Sequence, residues 1–257
     1  MNLWEEVPGS CTEVPVIEYY PAAQKKTSAA MVIFPGGGYE MRAEHEGKGY
    51  AELFNRMGMD AFVVEYRVAP HHFPLPLLDA RRGIRWVRAH AEEYGIDPNR
   101  IGAIGSSAGG HLTSLLCTYL EPLELENQDQ IDTFDFLPNA QILCYPVIAL
   151  KDYGHIGSGE NLLGDDYKAM ADKLMTANLV NEKTPQAFIW HTAEDNAVPV
   201  QNSLVYTQAL RNKNIDVELH IFPKGSHGLG CAPGFPHVAQ WTVLVENWLR
   251  MIGYLED

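Results

Sequence analysis

Short apolar runs alternate with longer amphipathic stretches along most of the chain. The runs at 29–34, 61–66, 100–104, 141–145, 186–191 and 217–222 read as strands, and several are too uniformly apolar to have one wet face, as buried parallel strands are. Between them lie stretches long enough to cross back over a sheet, at 47–57, 76–94, 108–120, 199–212 and 236–252. In the second of these Leu77, Ala80, Ile84 and Val87 keep the spacing of a helix with one buried side. Pro199 and Pro236 stand where a helix can begin, because the first turn has no use for the donor that proline lacks. The alternation predicts an α/β domain in which a mostly parallel central sheet carries helices on both faces through right-handed crossovers. Neither repeats nor low-complexity tracts interrupt it. Two stretches depart from the pattern: 121–139 is acidic and turn-rich, and 149–184 holds a Gly-rich loop and a helix, too long for a plain connection. Both are read either as small lid-like insertions or as solvated surface excursions, the first rather as an excursion and the second equally as either.

With 257 residues, 46% of them hydrophobic, the chain can bury one sizeable core, and residues 1–257 are expected to form a single domain. Nineteen Lys and Arg against 33 Asp and Glu leave a formal charge of −14, a field that repels nucleic acid and anionic membrane surfaces. Neither is an expected partner; a small, neutral or weakly charged substrate is. Cys11, Cys117, Cys144 and Cys231 are scattered without metal spacing, which suggests reduced thiols and a cytoplasmic setting. The first ten residues carry acids where a secretory leader has basic and apolar residues, and no window is long and apolar enough to span a membrane. No His-x-x-x-His, His-Glu-x-x-His or Asp-x-Asp spacing is present, so neither a metal nor another cofactor is expected.

The chemistry is concentrated after the third apolar run. Gly105-Ser106-Ser107-Ala108-Gly109 follows a β-like segment and precedes a helical one, the strand–turn–helix context in which a central serine is held up toward a substrate as a nucleophile. Small neighbours at Gly105 and Gly109 make room for the abrupt turn. The helix that begins there aims its first amides at a developing oxyanion, with the Ala108 N–H as the obvious donor. A Gly-Ser loop that merely caps a helix is the competing account, and Ser106 would serve it better. Pro35-Gly36-Gly37-Gly38-Tyr39, directly after an apolar strand, lets backbone approach a ligand closely and suggests an oxyanion loop. A phosphate-cradling loop would need a Gly-Lys-Ser/Thr ending or a Gly-x-Gly-x-x-Gly run, and neither is there.

A serine nucleophile needs a base, and the base needs an orienting acid, in the chain order Ser, acid, His for this kind of motif. Among histidines after Ser107, His227 sits in the flexible loop that follows the last strand and is taken as the general base, with His237 the fallback. His191 and His220 fall within or at the end of strands, where packed or hydrogen-bonded side chains are usual. The turn after the strand at 186–191 offers Glu194 and Asp195. Asp195 is preferred because its shorter side chain suits a rigid turn before a helix, with Glu194 the alternative.

Four segments, Pro35-Gly-Gly-Gly-Tyr39, Gly105-Ser-Ser-Ala-Gly-Gly-His-Leu112, His191-Thr-Ala-Glu-Asp-Asn-Ala-Val-Pro-Val200 and Phe222-Pro-Lys-Gly-Ser-His-Gly-Leu229, together resemble the bacterial esterase/lipase family of the α/β-hydrolase superfamily that includes acetylxylan-esterase-like enzymes. The similarity spans nearly the whole chain. It implies Ser107 as nucleophile, Asp195 as acid, His227 as base, and oxyanion amides from Ala108 and from Gly37 or Gly38. Pro35 stands where hormone-sensitive-lipase relatives carry a histidine, which points to the sugar-esterase branch. The implied activity is hydrolysis of short acyl esters, acetyl foremost, on oligosaccharides. A peptidase, amidase or arylformamidase on the same fold and a non-catalytic binding protein are the rivals. Tyr39 and Phe235 are candidates to line the substrate pocket, with core packing the alternative; self-association is left open.

Overall fold

The computed structural model describes residues 1–9, 13–125 and 127–256, so Cys11 lies outside the described residues. Among these, seven strands form one sheet: β1 (Val16–Tyr20), β2 (Ala30–Phe34), β3 (Asp60–Glu65), β4 (Ile101–Ser106), β5 (Ala140–Cys144), β6 (Ala187–Thr192) and β7 (Val217–Phe222), in the order β1-β3-β2-β4-β5-β6-β7. Every pairing is parallel except β1 with β3. The helices are α1 (Glu44–Arg56), α2 (Leu75–Ala89), α3 (Ala91–Tyr94), α4 (Ser107–Thr118), α5 (Ile156–Leu163), α6 (Tyr167–Met170), α7 (Gln201–Asn212) and α8 (Trp241–Met251). None of the described helices is long and apolar enough to cross a membrane.

Strand side chains alternate between faces, and both faces are covered. On β2, Ala30, Val32 and Phe34 join Leu77, Ile84 and Val87 of α2 and Leu112 and Leu115 of α4. Met31 and Ile33 of the same strand join Tyr50 and Phe54 of α1 and Trp241, Val245 and Leu249 of α8. Burial on both sides is why β2 is apolar at every position. The edge strand β1, absent from the predicted set, has β3 as its one neighbouring strand among the described residues and only Ile17 fully buried, so its sequence carries no continuous apolar signal.

Most element ends shift by a residue or two, and three differences are larger. The stretch at 76–94 breaks at His90 into α2 and α3. The last helical stretch opens with a tight turn at Val238–Gln240 before α8. The first helix begins at Glu44, ahead of the predicted 47, since Gly47 does not break it. Gly47 instead lets α1 lie close on the sheet, because a Cβ there would stand 3.2 Å from both Pro35 and Val63.

The two insertions are packed elements. The described residues of 121–139 are clipped to α2 by ion pairs from Arg82 and Arg85 to Asp132, at 3.0 and 3.3 Å, and Leu123, Leu125, Ile131 and Phe136 pack partly buried against the core, so this segment is a packed surface element and not a solvated excursion. Segment 149–184 carries α5 and α6 and places Leu150, Leu162, Leu163 and Leu174 in the core shared with α2 and α4, so it is anchored and does not form a free flap.

Candidate active site

Ser107 stands where β4 becomes α4, with φ at +52°, in the left-handed region that a residue with a Cβ enters only at a cost. Its neighbours explain how the turn closes. A Cβ on Gly105 would sit 2.1 Å from the Gly109 carbonyl oxygen, and one on Gly109 would sit 2.1 Å from that of Phe34. Both glycines are therefore steric requirements of a helix that starts against the strand it has just left. Ser107 is thereby presented at the carboxyl edge of the sheet, with only 8% of its surface exposed.

Two loops from that edge meet it. The loop after β7 brings His227 Nε2 to 2.8 Å from Ser107 Oγ, and the turn after β6 brings Asp195 Oδ2 to 2.5 Å from His227 Nδ1. The other carboxylate oxygen, Oδ1, accepts the N–H groups of Ala197 and Val198 at 3.0 and 2.9 Å. Burial alone would raise the Asp195 pKa. The bonds from His191, His227 and the Val198 N–H outweigh it and hold the carboxyl well below the usual range. An ionised Asp195 accepts the Nδ1–H of His227, which leaves the Nε2 lone pair to accept the Ser107 hydroxyl proton. His191, fully buried, stands behind the acid: its Nε2 is 2.8 Å from the Val198 carbonyl and 3.4 Å from Asp195 Oδ2, and its Nδ1 is 2.7 Å from the Ser203 hydroxyl.

The alternatives are placed elsewhere. Glu194 points to solvent and pairs with Lys224, as adjacent residues of a turn diverge. His237 packs edge-on against Phe222 and lies 3.3 Å from Gln240.

The glycine loop runs beside Ser107. Gly36 donates its N–H to Glu46 Oε2 at 2.8 Å, which removes it from the set of oxyanion donors. Gly37 has φ +130°, and a Cβ there would meet the Met41 carbonyl oxygen at 2.2 Å, while Gly38 has φ +67°. The Gly37 carbonyl accepts from the Glu40 and Met41 N–H groups, which folds the loop back on itself. Ala108 lies in the first turn of α4, where a helix has no internal acceptor for its N–H groups. Of the loop glycines, Gly37 and Gly38 thus remain, with Ala108, as candidate donors to an oxyanion.

Tyr39 takes the core alternative and not the pocket-lining one. It is wholly buried, its hydroxyl 2.9 Å from His111 Nδ1, so it has no surface to offer a ligand. Phe235 is 43% exposed on the loop that follows His227. The 149–184 insertion reaches the site through Asn161, whose side-chain amide donates to the Gly38 carbonyl at 2.9 Å. It also supplies His155, whose pKa is lowered by burial and by the neighbouring His227. Among the described residues no three or more His, Cys, Asp or Glu gather as around a metal ion.

Glu46, Tyr145 and Asn161 belong to the surroundings of the site and carry no local sequence mark, whereas His191 is the hydrogen-bonded strand-end residue its position predicts. An acid in the first turn of a helix is ordinary, and nothing local distinguishes Glu46 from Glu44.

The family model described as BD-FAE matches residues 18–210. The chain is 36% identical to an acetylxylan esterase of Xylanibacter ruminicola over 89% of its own length and 47% of that protein's. It is 35% identical to endo-1,4-beta-xylanase B of Butyrivibrio fibrisolvens over 90% and 38%, respectively. The chain therefore spans less than half the length of these curated relatives. Among solved structures, an acetyl ester-xyloside bifunctional hydrolase from Caldicellulosiruptor lactoaceticus superposes with a TM-score of 0.93 at 42% identity, covering 99% of this chain and 96% of that one. The carboxylesterase Cest-2923 from Lactobacillus plantarum gives 0.77 at 27% identity, covering 97% of each. These neighbours are α/β hydrolases.

Proposed function

Because the chain belongs to the BD-FAE family, we propose that it is a serine carboxylesterase that removes short acyl groups, acetyl foremost, from carbohydrate esters. Residues 1–257 act as one hydrolase domain. The observation that carries this is the continuous line of contacts from Ser107 Oγ to His227 Nε2 at 2.8 Å and from His227 Nδ1 to Asp195 Oδ2 at 2.5 Å.

In the acylation half, Ser107 Oγ attacks the ester carbonyl as its proton passes to His227 Nε2, and the carbonyl oxygen becomes an oxyanion facing the amides of Ala108 and of Gly37 or Gly38. Collapse breaks the bond to the leaving oxygen, which takes the proton from His227 and departs as the sugar hydroxyl. In the second half, water attacks the acyl-Ser107 carbonyl, His227 takes its proton and returns it to Ser107 Oγ, and the carboxylic acid leaves. Asp195 holds His227 in the required tautomer and stabilises it while it is charged.

The carbohydrate assignment draws its support from the acetylxylan esterase and xyloside-hydrolase relatives. Short acyl groups suit a chain whose long insertion is packed into the core rather than raised as an apolar cap. Free thiols at Cys117, Cys144 and Cys231 support a reducing compartment, the cytoplasm.

The test is a series of nitrophenyl acetate, butyrate, octanoate and decanoate, followed by acetylated xylo- and manno-oligosaccharides. Acetate is expected to be the best nitrophenyl ester, with acetic acid released from the oligosaccharides. A preference for decanoate, or no labelling of Ser107 by a fluorophosphonate, would overturn the proposal.

A further inference from the structure

Glu46 carries a charge-bearing group into the interior without joining the line of contacts through Ser107. It is 2% exposed, and both of its oxygens are committed: Oε2 accepts the Gly36 N–H at 2.8 Å, and Oε1 accepts the Tyr145 hydroxyl at 2.7 Å. Burying a carboxylate is costly unless such partners are in place. Those two partners belong to the two halves of the reaction machinery. Gly36 opens the loop that presents the Gly37 and Gly38 amides. It is wedged so closely that a Cβ would stand 2.4 Å from Glu46 Oε2 and 3.1 Å from Ser107 Cβ.

Tyr145, just beyond β5 with φ at +38°, reaches the other half. Its hydroxyl accepts the Gly230 N–H at 2.8 Å, and its ring stands edge-on to the His227 ring with centroids 5.1 Å apart. His45, beside Glu46, holds the same loop through the Gly228 carbonyl at 3.0 Å. The Tyr145 hydroxyl also lies 3.2 Å from that of Tyr50, which is 2.6 Å from Ser106 Oγ. One set of protons satisfies every contact: Ser106 donates to Tyr50, Tyr50 to Tyr145, and Tyr145 to Glu46, while Gly230 and Gly36 donate their N–H groups to Tyr145 and Glu46.

We infer that Glu46 is a positioning residue for the reaction: through Tyr145 it ties the glycine loop and the His227 loop into one frame, fixing the distance between oxyanion donors and general base. The inference rests on the esterase proposal for Ser107. Since the oxyanion forms only on the way to the tetrahedral state, a loosened frame lowers kcat and leaves substrate binding nearly as it was.

The experiment compares Glu46→Ala, Glu46→Gln and Tyr145→Phe in the full chain, with kcat and KM for nitrophenyl acetate, the rate of fluorophosphonate labelling and a thermal melt for each. Glu46→Ala is expected to lower kcat about 10²-fold, the scale of one lost oxyanion donor, with KM little changed and labelling slowed in parallel. Glu46→Gln keeps an acceptor for the Gly36 N–H and recovers most of that loss. Tyr145→Phe keeps the ring against His227 but cuts the bridge, with a fall in kcat of about tenfold, the scale of one hydrogen bond. If Glu46→Ala does not fold, the other two variants carry the test. A folded Glu46→Ala or Tyr145→Phe with wild-type kcat, or a loss confined to KM, overturns the inference. A wild-type protein inactive on nitrophenyl acetate and unlabelled overturns the esterase proposal instead.

Discussion

Asp195 holds His227 from one side only. Its Oδ2 meets the ring nitrogen at 2.5 Å while its Oδ1 is occupied by two backbone N–H groups of the same turn. A carboxylate pinned at both oxygens cannot rotate, so the imidazole it orients has one tautomer and one direction. That holds Nε2 toward Ser107, at 2.8 Å from its Oγ, the preorganisation that the proposed esterase mechanism requires.

Asp195→Asn removes the acceptor that selects this tautomer while preserving shape. The expected result is a fall in kcat for nitrophenyl acetate of about 10⁴-fold, the scale of the equivalent change in a serine protease triad. Glu194→Gln, at an exposed side chain paired with Lys224, should leave kcat within error. A comparable loss in Glu194→Gln would move the orienting role to that residue.

Replacing Ser107 itself should be as severe. Ser107→Ala is expected to abolish fluorophosphonate labelling and to reduce hydrolysis by about 10⁴-fold or more, residual turnover coming from the oxyanion amides alone. Ser106→Ala should still be labelled, since its hydroxyl faces Tyr50 and not His227. Labelling of the Ser107→Ala protein by mass spectrometry would refute the assignment.

His111 sets a pH limit on the fold. Burial lowers its pKa from 6.5 to about 4, and its ring bridges the Tyr39 hydroxyl and the Leu174 carbonyl. The folded state thus favours the neutral ring. Its contribution is whole above the unfolded value of 6.5 and is lost as pH falls from there toward about 4. Protonation linkage puts that loss at roughly 3 kcal/mol. Urea unfolding at pH 7.5 and 4.5 measures it. Stability should drop over that interval in the wild type and clearly less in His111→Gln, and equal slopes would remove His111 as the cause.

Two glycine substitutions should move stability in opposite directions. Gly109→Ala forces a Cβ to 2.1 Å from a backbone oxygen that cannot retreat, and is expected to cost about 3 kcal/mol or more, together with activity. Gly49→Ala, inside α1 with nothing within 4 Å of the new Cβ, should gain about 0.5–1 kcal/mol from the stiffer unfolded chain. Thermal melts of the two proteins decide both signs.

Periodicity and local turn chemistry carried much of this architecture. The strands β2 to β6 are legible because burial on both faces leaves them mostly apolar, and the glycines around Ser107 are legible because only glycine fits there. The order Ser107, Asp195, His227 follows from which strand ends they occupy. What the chain alone does not display is any partnership across it: Glu46 and Tyr145 lie 99 residues apart, and each looks like an ordinary residue among its own neighbours. The edge strand β1, the burial of Tyr39 on His111 and the backing of Asp195 by His191 have the same character. Such contacts come from packing one face against another, and a buried polar group declares its partner only once the surrounding walls have formed.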